Sequence, residues 1–167
     1  MTRTRIKICG ITRAQDMDAA VRLVADAIGF VLVPSSRRFI ALEAAAIMRR
    51  SLPPFVSAVA LLMNHADDEI ARILEVLRPD WLQFHGAESP SDCARFGHPH
   101  IKAVAMATKA GERPPDLASI AAQYHDAGAL LVDGHAPGEM GGSGQRVAID
   151  ETWPVIDKPL ILAGGLR

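Results

Sequence analysis

The chain has 167 residues, 49% of them hydrophobic and 22% charged, which is the make-up of a single globular domain with a sizeable core and excludes a disordered or low-complexity protein. Lys plus Arg number 18 and Asp plus Glu 19, a formal net charge of -1, so nothing draws the chain as a whole to nucleic acid or to an anionic membrane. The longest apolar run, around Val56 to Met63, is far short of the ~20 residues a membrane helix needs, and Lys7 breaks the stretch Ile6–Ile11 that a signal peptide would need intact. The only cysteines, Cys9 and Cys93, are far apart and in no metal-like spacing, so the expected compartment is the reducing cytoplasm.

In chain order, short runs rich in Val, Ile and Leu alternate with stretches of helical period. Arg5–Ile11 opens as a strand and is followed by a helix over Ala14–Val24, with Thr12 as its cap. A strand over Ala27–Val33 leads to a helix over Ala41–Ser51. The strand Phe55–Asn64 precedes the helix Asp67–Leu77, whose first turn carries Asp67, Asp68 and Glu69 at the positive end of the helix dipole. Then come the strand Trp81–His85, the helix Pro90–Phe96 with a Ser89-Pro90 start, the strand His100–Met106, the helix Leu117–Ala127, and the strands Ala129–Asp133 and Pro159–Ala163.

The strands are apolar on both faces, as strands covered by helices on both sides are. Repeated strand–helix–strand units with short connections predict a parallel sheet with right-handed crossovers. Length alone favours an open doubly wound sheet, since barrels run from ~200 residues upward. The spacing of strand starts, 22, 28, 26, 19, 29 and 30 residues apart, instead fits a (β/α)8 barrel of which the chain supplies roughly seven strands. One domain over 1–167 is expected, with one long irregular stretch, Gly134 to Pro154, of the kind that is more often functional than filler.

Active sites of parallel α/β folds lie at the carboxyl ends of the strands. Those ends carry Cys9-Gly10, Ser35-Ser36-Arg37-Arg38, Asn64-His65, Gln83 with His85-Gly86, Asp133-Gly134 and Gly164-Gly165. Each has an ordinary reading as well. A cysteine in an apolar strand is more often packing than chemistry, and Cys93 is read as packing. Asp133 before Gly134 can simply shape a turn. Either arginine alone can be solvated surface charge, and His85 can be a satisfied core histidine. Gly164-Gly165 can be a tight turn, or it can bring backbone N–H groups to a phosphate. No P-loop, GxGxxG or nucleophile elbow is present.

Taken together, the segments resemble the phosphoribosylanthranilate isomerase family of tryptophan biosynthesis. Lys7-Ile8-Cys9-Gly10-Ile11-Thr12 is similar to the family's opening motif. Gly29-Phe30 with Ser36-Arg37-Arg38-Phe39-Ile40 resembles its second-strand motif, and Gln83-Phe84-His85-Gly86 its Gln-Leu-His-Gly segment. Leu130-Leu131-Val132-Asp133 with Gly141-Gly142-Ser143-Gly144 resembles the sixth strand and Gly-rich loop, and Leu162-Ala163-Gly164-Gly165-Leu166 the phosphate motif of the seventh strand. The resemblance implies a (β/α)8 TIM barrel and a cytoplasmic isomerase, monomeric or homodimeric, with no metal or organic cofactor. Its partner would be a small phosphosugar, with no nucleic acid and no membrane.

The implied reaction is the Amadori rearrangement of N-(5-phosphoribosyl)anthranilate to 1-(2-carboxyphenylamino)-1-deoxyribulose 5-phosphate. Cys9 matches the family's general base, Asp133 its general acid, and Arg38 the arginine that meets the anthranilate end. Opening the ribose ring needs a proton on the ring oxygen, which a carboxylic acid at Asp133 can supply. Removing the C2 proton of the imine suits a thiolate at Cys9, with Lys7 on the same strand face as the neighbour that favours it. Gln83, His85, Gly142, Gly164 and Gly165 complete the expected substrate contacts, the loop through Gly142 closing over the site.

The match departs from the family in two places. The lead from the Gly-rich loop to Trp153 is longer than usual, and the sequence stops where the family's seventh helix begins, so the C-terminal part of the barrel is expected to be missing. Two other readings stay open: another phosphosugar isomerase or lyase on the same barrel, and a non-catalytic α/β binding domain. Cys9, where the former would put a carboxylate, argues against it.

Overall fold

The computed structural model describes residues 3–106, 115–134 and 156–165. The chain divides into two compact units, Met1–Gln83 and Phe84–Arg167.

In the first unit the order is β1 (Lys7–Cys9), α1 (Ala14–Arg22), β2 (Ala27–Val31), α2 (Leu42–Arg50), β3 (Ser57–Leu62) and α3 (Asp67–Val76), with β4 (Trp81–Phe84) beginning at its end. β1 pairs with β2 and β2 with β3, all parallel, in a register that sets Cys9 beside Gly29 and Gly29 beside Val59. Ile28, Phe30, Ala58 and Leu62 are buried, and so are Val31 and Val59 on the opposite face. Both faces of β2 and β3 are therefore covered, and each large side chain removed from water contributes about 1.5–3 kcal/mol.

Two carboxylates at the ends of helix-to-strand turns fix where the strands start. Asp26 Oδ2 accepts from the Ile6 N–H at 2.8 Å, and Asp80 Oδ2 accepts from the Ala58 N–H at 2.7 Å. Each sits just before its own strand and reaches back to the strand before, so the ladder is pinned at its amino end.

In the second unit the order is α4 (Pro90–Ala94), β5 (His100–Ala105), α5 (Leu117–Gln123), β6 (Ala129–Asp133) and β7 (Leu160–Leu162). β5 pairs with β6 and β6 with β7, again parallel, with Ala105 beside Asp133 and Val132 beside Leu162. Val104, Leu130 and Val132 pack with Leu117 and Ala121 of α5. The strand period of two then turns Leu131 and Asp133 to the face away from α5.

Every expected element within the described residues is present, most of them shorter by one or two residues at their ends, where pairing frays. One cap differs from expectation. Thr12 does not cap α1; Arg13 holds the cap position without a side-chain bond to the helix backbone, and its guanidinium instead pairs with the Asp16 carboxylate of the first turn at 2.7 Å. The other two helix starts form as expected. Ser89 Oγ accepts from the Asp92 N–H at 3.2 Å while Asp92 accepts from the Ser89 N–H at 2.9 Å, a reciprocal box. In α3, Glu69 accepts from the Ala66 N–H at 2.8 Å.

Candidate functional site

In the first unit Cys9 is the last residue of β1, half-buried, with Lys7 half-buried on the same face and Ile8 exposed on the other. Its side chain packs against the cluster of Val31, Val33 and Leu61, as does that of Met63. It has room because its neighbour in register is Gly29: a Cβ there would lie 2.7 Å from Cys9 Sγ and 3.1 Å from Cys9 Cα. The chain leaves β1 through Gly10, at φ +85°, a conformation an L side chain rarely adopts. Space matters there as well, since a Cβ on Gly10 would lie 2.5 Å from Arg38 Cδ.

Arg38 lies over that bare turn. Its backbone N–H donates to Ser36 Oγ at 3.1 Å, and its Nη1 donates to the carbonyl oxygen of Cys9 at 3.2 Å. The guanidinium is thus tied to the residue that carries the thiol. Arg38 is half-buried and Arg37 exposed, so the two arginines, adjacent in sequence, have different surroundings. His65, at the end of β3, has a structural position. Its Nδ1 accepts from the Met63 N–H at 3.2 Å and its Nε2 lies 3.0 Å from the Leu32 carbonyl oxygen, which pins the loop between strands. Gln83, in β4, is buried at 1% exposure.

In the second unit Asp133 is the last residue of β6, and its carbonyl accepts from the Met106 N–H at 2.8 Å. Its carboxylate oxygen Oδ2 is 3.8 Å from His85 Nε2, with the two side chains 10% and 6% exposed. Two residues distant in sequence, both expected at the site, are therefore neighbours, and either can hold or pass a proton. Gly164 and Gly165 follow β7 with φ of +82° and +64°, a turn whose backbone leaves the strand sharply. Gly142 and the rest of the Gly-rich loop lie outside the described residues.

Sequence reasoning missed one feature of this unit. Lys102 of β5 forms a buried pair with Glu88, Nζ to Oε2 at 3.0 Å, both side chains 7% exposed. A lysine in a strand otherwise apolar, His100-Ile101-Lys102-Ala103-Val104, was the signal, because an ammonium inside a core needs a partner. Cys93 is fully buried, and burial pushes its thiol up to about 11, so it is packing as expected. Among the described residues no group of three or more His, Cys, Asp and Glu is arranged to hold a metal ion, and no helix is long and apolar enough to cross a membrane.

Comparison with known proteins covers nearly the whole chain. The family profile described as N-(5'phosphoribosyl)anthranilate (PRA) isomerase matches residues 6–167. The N-(5'-phosphoribosyl)anthranilate isomerase of Bordetella parapertussis is 43% identical over 170 residues, an alignment covering 99% of this chain and 77% of the relative. The crystal structure of phosphoribosyl anthranilate isomerase from Thermotoga maritima superposes with a TM-score of 0.83 at 33% identity, over 98% of this chain and 78% of that one. A phosphoribosyl anthranilate isomerase crystallised with reduced 1-(o-carboxyphenylamino)-1-deoxyribulose 5-phosphate superposes with a TM-score of 0.69 at 32% identity, over 78% of this chain and 65% of that one.

Proposed function

This chain belongs to the N-(5'-phosphoribosyl)anthranilate isomerase family, whose fold is the (β/α)8 barrel, and from that premise we propose that Cys9 is the general base and Asp133 the general acid of its reaction. The chain is an isomerase of tryptophan biosynthesis. Its proposed substrate is N-(5-phosphoribosyl)anthranilate and its product 1-(2-carboxyphenylamino)-1-deoxyribulose 5-phosphate.

The observation that carries the assignment is position. Cys9 closes β1 and Asp133 closes β6, and in a parallel barrel the chemistry is done at the carboxyl ends of strands. The carboxylic acid of Asp133 gives its proton to the ribose ring oxygen. The bond from that oxygen to C1 breaks as the anilino nitrogen lone pair forms the C1–N double bond. The thiolate of Cys9 then takes the C2 proton, and the electrons of that C–H bond become the C1–C2 double bond of an enol-amine. Loss of the enol proton from the C2 hydroxyl and return of a proton to C1 give the ketone. C2 is oxidised and C1 reduced inside one molecule, so atoms and electrons balance without an external redox partner.

The other assignments rest on the family match, with local geometry in support of Arg38. Arg38 is anchored on Ser36 and on the Cys9 carbonyl, and its planar fork suits the anthranilate carboxylate. Lys7 is half-buried on the Cys9 face of β1. Gln83 and His85 line the substrate. The turn at Gly164 and Gly165 offers N–H groups to the phosphate.

The test is direct. Phosphoribosylanthranilate is fluorescent, and the signal should fall on mixing with the protein as the rearranged ketone accumulates one-for-one. Persistent fluorescence with a folded protein would refute the proposed activity.

A further inference from the structure

The buried pair Lys102–Glu88 takes no part in the proton transfers, and two charges removed from water are a weak source of stability, because desolvation offsets most of their attraction. Its contacts show another use. Lys102 Nζ donates to the Gly86 carbonyl at 2.7 Å, and Glu88 Oε2 accepts from the Gly86 N–H at 2.9 Å. Both backbone polar groups of one residue are therefore held by the two members of one ion pair. Tyr124, from the turn that follows α5, completes the clamp: its hydroxyl donates to the Glu88 carbonyl at 2.8 Å, and its ring centroid is 5.5 Å from Lys102 Nζ.

Gly86 follows directly after His85, whose Nε2 lies 3.8 Å from Asp133 Oδ2. Lys102 stands on the same strand face as Val104, toward α5, and Asp133 on the opposite face. The pair thus reaches the His85 turn from the α5 side of the sheet, the face opposite to Asp133. We propose that Lys102 and Glu88 are positioning residues for the isomerase reaction, clamping Gly86 so that the His85 imidazole is set against the carboxyl group of Asp133. This rests on the reading of Asp133 as the general acid. His85 is the neighbour that the clamp orients, and a displaced imidazole would lose its 3.8 Å approach to the Asp133 carboxyl group.

Three variants of the full chain test the clamp, read by turnover and by the NMR signals of the His85 ring in ligand-free protein. The double variant Lys102→Met with Glu88→Leu removes both charges together, so neither is left buried alone. It should unfold cooperatively, lose roughly 10- to 100-fold in kcat as the site loosens, and change KM by less than roughly threefold. Its His85 ring signals should move away from those of the parent. Glu88→Gln keeps an acceptor for the Gly86 N–H and should retain the parent His85 signals and most of the turnover, while Glu88→Ala should lose both.

A folded double variant with parent His85 signals and parent kcat would overturn the proposal. So would Glu88→Gln and Glu88→Ala behaving alike, a comparison that decides the matter if the double variant does not fold. The ring signals need no substrate, so they report on the clamp independently of the acid assignment. That assignment fails separately, if Asp133→Asn keeps its turnover.

Discussion

The thiol of Cys9 occupies the space that a side chain at position 29 would need, since a Cβ on Gly29 would come within 2.7 Å of Sγ. The neighbouring strand is thus cut away where the base is proposed to work. Gly29→Ala should push the thiol off its position, lowering kcat and destabilising the fold by about 1–3 kcal/mol, the usual cost of overpacking a filled site. Adding Cys9→Ala removes the 2.7 Å clash but leaves the Cys9 Cα at 3.1 Å, so it should restore part of that stability and none of the activity. Thermal unfolding of the two single variants and the double variant checks this, and equal losses with and without the thiol would show that the two residues do not compete for space.

Arg38 and Arg37 should separate cleanly. Arg38 is half-buried and donates to the Cys9 carbonyl at 3.2 Å, whereas Arg37 is exposed. Arg38→Ala should weaken substrate binding by about 1.5–3 kcal/mol, the worth of a hydrogen bond to a charged group. Arg37→Ala should change it by less than about 0.5 kcal/mol, as surface substitutions do. KM and kcat/KM for both variants give the ranking, and the reverse order would move the assignment one residue along the chain.

The two cysteines should differ in reactivity. Cys9 is half-buried and Cys93 fully buried with its thiol pushed up to about 11, chiefly by burial. A thiol reagent should modify one cysteine of the native protein quickly and both only after unfolding. Mass analysis of the labelled peptide should find Cys9, and turnover should fall in step with its modification. Labelling at Cys93 first would mean that the helix α4 opens far more easily than its packing implies.

The strand that carries Cys9 is anchored through Asp26. The Arg3 guanidinium, followed by the Ile6 N–H, holds the Asp26 carboxyl at about 2, below its ordinary 3.8. The proton therefore binds more weakly to the folded chain than to the unfolded one. The resulting stability is fully present above about pH 4 and is lost as pH falls from there toward about 2. Asp26→Asn should flatten this part of the thermal-unfolding profile between pH 5 and pH 2. An unchanged slope in the variant would show that Asp26 does not supply the acid-sensitive anchor.

Much of this arrangement is legible in the sequence because its signals are local. Ala27–Val31 and Ser57–Leu62 are strands apolar on both faces, and such runs declare a covered parallel sheet by composition alone. Cys9, Asp133 and Gly164-Gly165 are legible as strand-end positions because each ends a run of that kind. Contacts made across sequence are harder to read. Thr12 has the chemistry of a cap, yet the chain enters α1 one residue later, where Arg13 finds Asp16 instead. The Asp26 and Asp80 anchors are single carboxylates just before strands, indistinguishable by pattern from solvated surface charge. The proximity of His85 to Asp133 and of Lys102 to Glu88 depends on side-chain reach from different elements, which periodicity does not encode.

The most direct measurement is kcat and KM for Cys9→Ala and Asp133→Asn, with cooperative unfolding verified for each. Loss of a general base or acid removes stabilisation made only during proton transfer, so kcat should fall roughly 10²–10⁴-fold in both variants while KM changes little. Either variant turning over at close to the parent rate, with its fold intact, would contradict the assignment of that residue and with it the proposed chemistry.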